Sequence, residues 1–520
     1  MPTSQPASRR TADAAQTRDE LGRLRPDLVA RYDAALPGAR AAVLARLLGA
    51  IDREPLPAAV PHPAGQGHVP GRRDEPADSQ RNESRRPDGR AGATLDVRDL
   101  DYPASAAVPF APGHAGLAVT VHGGTRVDDP GTLVRLLWGD VPFAGEVDNS
   151  VANLALARAQ APPATLPHDL GRIEQLVVDG HPLHPCCRTR GGMTVRDVLT
   201  YAPEHSPTVR LRRLKVPPDR WFGTAPPLLY AHPWQVEHLR DRYPFLTDDG
   251  ETAAGRPLMS LRTVALPTAH VKTAVDVQMT SAVRTVSPAA VTNGPLLSAL
   301  LRELTADLPL SVLAETAGGA VVVDGEPQRH LAYLARRAPA TRPGELVVPL
   351  AAMASSPLLL RTVEDPYDWW GLLCDRLFAP LVTVLDRGVA LEAHGQNTLV
   401  VLRDNRPHRV LYRDFGGVRV DRRHERIGLR GDILADDPQE LGTKLAASAL
   451  GNAAAHLIAA FTRHFGTDPA KLWARTAASI TNKRLLTDPL PVKATTAMRL
   501  SATPLDDIWA YLGNPMAAHA

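Results

Sequence analysis

Glu392-Ala393-His394-Gly395-Gln396-Asn397 and Arg413-Asp414-Phe415-Gly416-Gly417 bracket the segment whose reading decides the C-terminal fold. Between them run the β-branched stretch Thr398-Leu399-Val400-Val401-Leu402-Arg403-Asp404, a turn over Asn405-Arg406-Pro407-His408, and Arg409-Val410-Leu411-Tyr412. Composition and punctuation predict a β-hairpin. Polar side chains cluster at its entry, and a carboxylate followed by glycines stands at its exit.

An Asn before a strand pair and an Asp-Phe-Gly after it are what protein kinases use to hold magnesium on a nucleotide. A solvated hairpin ending in an ordinary Gly-rich turn is the plainer alternative. Outward from the hairpin, composition sets bounds. A chain of 520 residues with 44% apolar side chains predicts two or three packed units. A net charge of +3 demands neither a nucleic acid nor an anionic membrane as partner. The three cysteines Cys186, Cys187 and Cys374 make no disulfide framework and suit a reducing cytosol. Residues 1–10 lack the apolar core of a signal peptide. Leu445 to Thr462, uncharged but containing Ser448, Gly451, Asn452 and His456, reads as a buried Ala-rich helix rather than a membrane span. The expectation is a soluble cytoplasmic protein.

Residues 20–52 carry helical spacing, with Leu44, Leu47, Leu48 and Ile51 as the buried stripe. Residues 61–94, rich in Pro, Gly, Arg, Asp and Ser without apolar periodicity, read as a disordered loop. Further helices are expected over 149–158, 295–305 and 436–464, and a strand over 346–350. The predicted class is α+β or mixed α/β, divided at 1–160, 161–355 and 356–520.

The middle of the chain supplies cations. Gly180-His181-Pro182-Leu183-His184-Pro185-Cys186-Cys187-Arg188-Thr189-Arg190-Gly191-Gly192 admits three readings. It is a zinc site, a structural turn, or an anion-facing loop; vicinal cysteines and the lack of a second ligand pair count against zinc. Next come His232-Pro233-Trp234-Gln235, Ser260-Leu261-Arg262-Thr263, Lys272, and Thr280-Ser281-Ala282-Val283-Arg284-Thr285. His270 to Gln278 alternates like a strand, which would place His270, Lys272, Ala274 and Asp276 on one face. Guanidinium forks and an ammonium beside hydroxyls are what a polyphosphate requires. No Walker loop, strand-linked GxGxxG or GxSxG elbow is present, so a nucleotide site here must be assembled from scattered cations and the hairpin.

In order and spacing these motifs resemble those of the IucA/IucC family, the NRPS-independent siderophore synthetases. That family's GHPxHPxxKxRxG stretch is matched from Gly180 to Gly192, with Arg188 in place of Lys and Met193 where an aromatic is usual. Its HPWQ, SxRT, TSxxRT, ExHxQN and RDFGG motifs are matched at His232–Gln235, Ser260–Thr263, Thr280–Thr285, Glu392–Asn397 and Arg413–Gly417. The likeness runs from about residue 110 to Asn514-Pro515. It implies a hand-like architecture of thumb, fingers and kinase-like palm, with ATP between fingers and palm. The implied reaction is adenylation of a polycarboxylate such as citrate by MgATP, then displacement of AMP by an amine or hydroxyl. The resemblance further implies that Ser260, Arg262, Thr263, Lys272, Arg284 and Gln396 hold the nucleotide. Lys272, Arg284, His394 and Arg262 would act in catalysis. Asp414, Glu392 and Asn397 would hold Mg²⁺, and His181, Thr280, His394 and Arg190 would face the acid. A homodimer is implied as well. The rivals are a kinase-like phosphotransferase, weakened by the absence of a catalytic Asp at kinase spacing, and a non-catalytic scaffold.

Overall fold

The hairpin forms as strands Thr398–Arg403 and Arg406–Tyr412 of a four-stranded sheet in this computed structural model. Residues 11–58, 97–121, 124–239, 241–503 and 506–520 are described; the stretch 61–94, read as a loop, lies outside them. The turn is one residue earlier and tighter than expected. Asp404 and Asn405 both adopt left-handed backbone (φ 49° and 60°), the two-residue geometry that matches strand twist. Pro407 consequently falls inside the second strand, opposite Leu402 at a register shift.

Strand Leu310–Val312 pairs parallel to the second hairpin strand, and Glu345–Pro349 pairs antiparallel to the first. Both partners precede residue 355, so the break expected there lies inside a sheet. The apolar core beneath this sheet likewise takes Ile173, Val177, Leu297 and Leu301 together with Trp369, Trp370, Phe415 and Phe461.

A six-stranded sheet stands beside it. Its order is Trp221–Gly223, Glu315–Val323, Glu326–Arg337, Ala269–Thr273, Thr263–Ala265 and Arg256–Pro257. The run expected to continue from His270 to Gln278 is broken at Ala274. Val275–Met279 leaves this sheet and pairs with Ala282–Arg284 instead. Only His270 and Lys272 therefore share a strand face; Asp276 belongs to another sheet.

A third core gathers the N-terminal helices Ala14–Leu24 and Val29–Arg53 against helix Pro142–Arg158. Leu44, Leu47 and Leu48 are fully buried there, as the helical spacing predicts. Cys186, Cys187, Val195 and Val198 join this core, so it extends past residue 160. Two helices, Pro26–Arg53 and Pro438–Phe465, are long and apolar enough by composition to cross a membrane. Most of each apolar window, 61% and 72%, is buried inside the fold, as in the core helices of globular proteins.

Candidate active site

Hairpin register brings the two polar motifs together. Thr398 pairs with Tyr412, and the Arg413 amide donates to the Asn397 carbonyl at 3.0 Å. The buried Tyr412 hydroxyl accepts from the Glu392 amide and donates to the Asp414 carbonyl, both at 3.1 Å. Arg413 donates to the Gln396 carbonyl and to the buried Glu174 carboxylate at 2.5 Å. Its charge is thus consumed in fastening the motifs to helix Leu170–Glu174.

Asp414 has left-handed backbone, φ 72°, a conformation that costs a non-glycine residue free energy. The turn it begins is short, Phe415–Gly417. Glycine leaves room at its end for the Glu392 carboxylate, which lies 1.8 Å from where a Cβ on Gly417 would be. Glu392 is paired with Lys444 at 2.8 Å, from the helix whose Ser448 hydroxyl also accepts from the Ala393 amide.

The six-stranded sheet supplies the opposite wall. Lys272 Nζ donates to both Asp414 oxygens, at 2.7 and 2.8 Å, across 142 positions of sequence. Register places Thr263 and Leu334 beside Lys272, and Arg336 beside His270. Arg336, buried, lies 3.2 Å from Glu315 and 3.6 Å from Asp414. Arg262 donates to the Thr285 carbonyl, and Arg284 to the Met279 carbonyl at 2.8 Å and to the Thr280 hydroxyl. Among the described residues neither has a carboxylate at ion-pair distance.

Positive charge is therefore in excess. Arg262, Lys272, Arg284 and Arg336 all have Asp414 as a carboxylate neighbour, Lys272 and Arg336 also have Glu315, and Arg284 has Glu392, itself paired with Lys444. Burial lowers the Arg262 guanidinium to about 10, and Arg284 and Arg336 push it the same way. Lys272 is also lowered, by burial first, despite its contact with Asp414. Burial opposes ionisation of Asp414, yet Lys272 and Arg336 hold it well below the usual carboxylate range. Burial raises Glu315 against the pull of Arg336. Such a cluster is poised for an added anion, whose charge would relieve the repulsion.

The histidines line the same region. His394 Nδ1 accepts from the Gln396 amide at 3.2 Å, and His181 Nδ1 from the amides of Leu183 and His184 at 3.3 and 3.1 Å. Each imidazole is thereby fixed with its proton on Nε2, presenting a donor. Burial lowers both, His181 to about 3, with His394, Arg46 and Arg284 opposing its protonation. His184 is fixed the same way, its Nδ1 accepting from the Cys186 amide at 2.9 Å and its Nε2 2.6 Å from Ser281 Oγ.

Other sequence candidates take supporting places. Ser260 donates to Thr263 at 3.0 Å. The Thr280 hydroxyl donates to the Met279 carbonyl at 2.6 Å and accepts from Arg284, so it steadies that guanidinium. Arg188 and Arg190 do not face an anion in an open loop. Both are buried and share the carboxylate of Glu204, at 3.3 and 3.0 Å, while Arg188 also donates to the carbonyls of Val177 and Val178. The Arg pair holds Glu204 down to about 2 against burial. Cys186 and Cys187 are core residues, and burial pushes the Cys186 thiol well up. Gln235 of the HPWQ stretch accepts from the Asp276 amide and donates to the His330 carbonyl. A cavity of about 70 Å³ lined by Arg212, Leu214, Leu229, Tyr243 and His330 includes none of Arg262, Lys272, Arg284 and Arg336. Arg336, Glu315 and Lys444 are the site residues that sequence reasoning missed. Arg336 could have been found by extending the alternation of strand Glu326–Arg337, which places it two residues beyond Leu334 on the Lys272 side.

Asp414 holds the Lys272 ammonium with both oxygens and Glu392 holds that of Lys444, carboxylate oxygens of the kind a magnesium ion takes; among the described residues no group of three or more His, Cys, Asp or Glu is placed to hold a metal.

The chain is similar to known proteins in sequence and in fold. The IucA / IucC family model matches residues 169–226 and 225–355, and an FhuF model, described as a ferric iron reductase FhuF-like transporter, matches residues 367–496. The chain is 29% identical to staphyloferrin A synthase of Staphylococcus aureus over 370 residues, 59% of this chain and 63% of the relative. It is 23% identical over 316 residues to N(2)-citryl-N(6)-acetyl-N(6)-hydroxylysine synthase of Escherichia coli, 48% of this chain and 55% of that one. The chain thus spans less than two thirds of these relatives' length. ATP-bound aerobactin synthetase IucA of Klebsiella pneumoniae superposes with a TM-score of 0.67 at 20% identity, covering 78% of this chain and 91% of that one. Petrobactin biosynthesis protein AsbB of Bacillus anthracis gives 0.69 at 17% identity, covering 79% and 86%. The fold is the mixed α/β fold of these proteins. Over residues 169–355 the chain is similar to the IucA / IucC family.

Proposed function

We propose that the protein is an ATP-dependent, AMP-forming ligase, joining citrate or a related polycarboxylate to an amine or hydroxyl in cytoplasmic siderophore synthesis. The observation that carries this is the excess of buried guanidinium and ammonium groups around Asp414. ATP would lie between the six-stranded sheet and the hairpin sheet, the fingers and palm of a hand whose thumb is the N-terminal helical core. Ser260, Arg262, Thr263, Lys272, Arg284 and Gln396 would face its phosphates. Asp414, Glu392 and Asn397 are the donors for Mg²⁺, which when bound would neutralise phosphate charge.

The residues suit the two steps. A carboxylate oxygen forms a bond to the α-phosphorus, and the bond to the departing pyrophosphate breaks. Arg262, Arg284 and Lys272, fixed in a desolvated site, favour the charge that grows on those oxygens over the ground state. The amine or hydroxyl then bonds to the acyl carbon, AMP leaves with the bonding pair, and the nucleophile's proton passes to solvent or AMP. His394 and His181, holding Nε2–H donors, would bind carboxylate oxygens of the acid, and Thr280 and Arg190 would support Arg284 and the His181 loop from behind. The relatives named for citryl compounds support a citrate-like acid.

Product analysis tests the reading. With MgATP, citrate and hydroxylamine, the protein is expected to release pyrophosphate and AMP and to form a hydroxamate, 2-oxoglutarate replacing citrate if citrate is inert. Carboxylate-dependent ADP without AMP under every acid would sink it and favour phosphoryl transfer.

A further inference from the structure

The segment Val177–His181 leads into the imidazole that faces His394 and Arg284, and arginines from three separate elements grip it. Arg46, buried in helix Val29–Arg53, donates Nε to the His181 carbonyl at 3.1 Å and Nη2 to the Asp179 carbonyl at 3.2 Å. Its remaining bond is to Ala42 of its own helix, 2.8 Å. Arg188 donates to the carbonyls of Val178, at 2.6 Å, and Val177. Arg158, from helix Pro142–Arg158, forks onto the Asp179 carboxylate at 2.9 and 2.6 Å. Four of the five backbone carbonyls from 177 to 181 are thereby held by guanidinium groups. Gly180, the remaining one, has φ 70°, and a Cβ there would meet the Cys187 carbonyl at 2.3 Å.

Arg46 is the informative member. Its neighbours Arg188 and Arg158 balance Glu204 and Asp179, so their removal would disturb buried ion pairs. Arg46 has no carboxylate among its bonds, and every donor it spends goes to backbone oxygen. A core helix of this type needs no guanidinium at that place for packing; an unbranched apolar side chain would fill it.

We propose that Arg46 is a positioning residue for His181: with Arg188 and Arg158 it fixes the backbone from which that imidazole is presented to the carboxylate substrate. The assignment rests on the ligase reading above. The clamped segment runs directly into the turn that the His181 Nδ1 closes by accepting two successive amides.

The test uses the full chain carrying Arg46→Met and, separately, Arg46→Lys, which keeps the charge but offers a single ammonium. Two readouts are taken. Hydrogen exchange of the peptide spanning residues 179–186 is expected to speed up at least about tenfold in Arg46→Met, with the hairpin peptides unchanged, because the Leu183 and His184 amides report the turn directly. In steady state, KM for the carboxylate is expected to rise about tenfold or more while KM for ATP stays within twofold. Arg46→Lys should fall between parent and Met and serves if Arg46→Met does not fold. Unchanged exchange in the 179–186 peptide overturns the clamp. Faster exchange with an unaltered carboxylate KM overturns the positioning role, as does a matching rise in the KM for ATP. If the parent makes no AMP with any acid, the ligase reading fails by itself, and exchange alone then decides whether Arg46 holds the turn.

Discussion

Two arginine-rich stretches of this chain look alike in sequence and do opposite work. In Gly180–Gly192, Arg188 and Arg190 share the buried Glu204, and each also donates to backbone carbonyls, Arg188 to Val177 and Val178 and Arg190 to Thr189. In the segment from Ser260 to Thr285, Arg262 and Arg284 are also deeply placed, yet they are held only by carbonyls and a hydroxyl. One set is closed in that each guanidinium has a buried carboxylate at ion-pair distance. The other is open: among the described residues neither guanidinium has one. A carboxylate within reach, rather than the density of cationic side chains, separates the two.

Breaking the closed set should cost most. Glu204→Gln leaves two buried guanidiniums without a counter-charge and is expected to destabilise the fold by about 3–5 kcal/mol, read as a large drop in the urea midpoint. The same logic inverted sharpens the contrast. Arg284→Met removes a cation that burial and Arg190 disfavour against the pull of Asp414 and Glu392, so Tm should change little, while pyrophosphate release falls by about 10²-fold or more. A Tm loss in Arg284→Met as large as that of Glu204→Gln would erase the distinction. At the one carboxylate that the open set contacts through Lys272 and Arg336, Asp414→Asn should lower turnover by about 10²-fold. Turnover within a few-fold of the parent at saturating Mg²⁺ would remove Asp414 from the site.

A pH effect of moderate size should follow from the histidines. Burial lowers His181, His232, His270 and His456 from 6.5 to about 3. The unfolded chain takes up protons below about pH 6.5 that the folded chain refuses. The stability these neutral rings contribute is therefore fully present above pH 6.5 and is lost as pH falls from there towards 3. Tm should be lower at pH 5 than at pH 7, and His456→Gln should shrink the difference. The smallest effect is expected at Asp404, where the left-handed backbone suits Asn equally: Asp404→Asn should leave Tm and turnover near parental values.

The hairpin, the long helices and the motif positions were legible because each is written in adjacent residues: alternation, turn punctuation, and 3.6-residue spacing. Site partners were legible only where a motif named them. Lys272 meets Asp414 across 142 positions, and nothing local to either announces the other. Arg336 and Glu315 escaped notice because a strand of alternating residues gives no sign of which sheet it faces. The His270–Gln278 run misled for the same reason, since alternation continues through Ala274 although the backbone changes sheets there. The Arg188/Arg190 loop could be corrected only with Glu204 in view, a residue outside the motif.

Gly417 carries one more consequence. With a Glu392 oxygen 1.8 Å from where its Cβ would be, a methyl group at 417 and the present placement of the Glu392 carboxylate exclude each other. The obstructing atoms are the far end of that side chain, so Gly417→Ala would act by displacing the carboxylate from Lys444. What a change at the last residue of one motif costs is thus set by a side chain of the other, twenty-odd positions away.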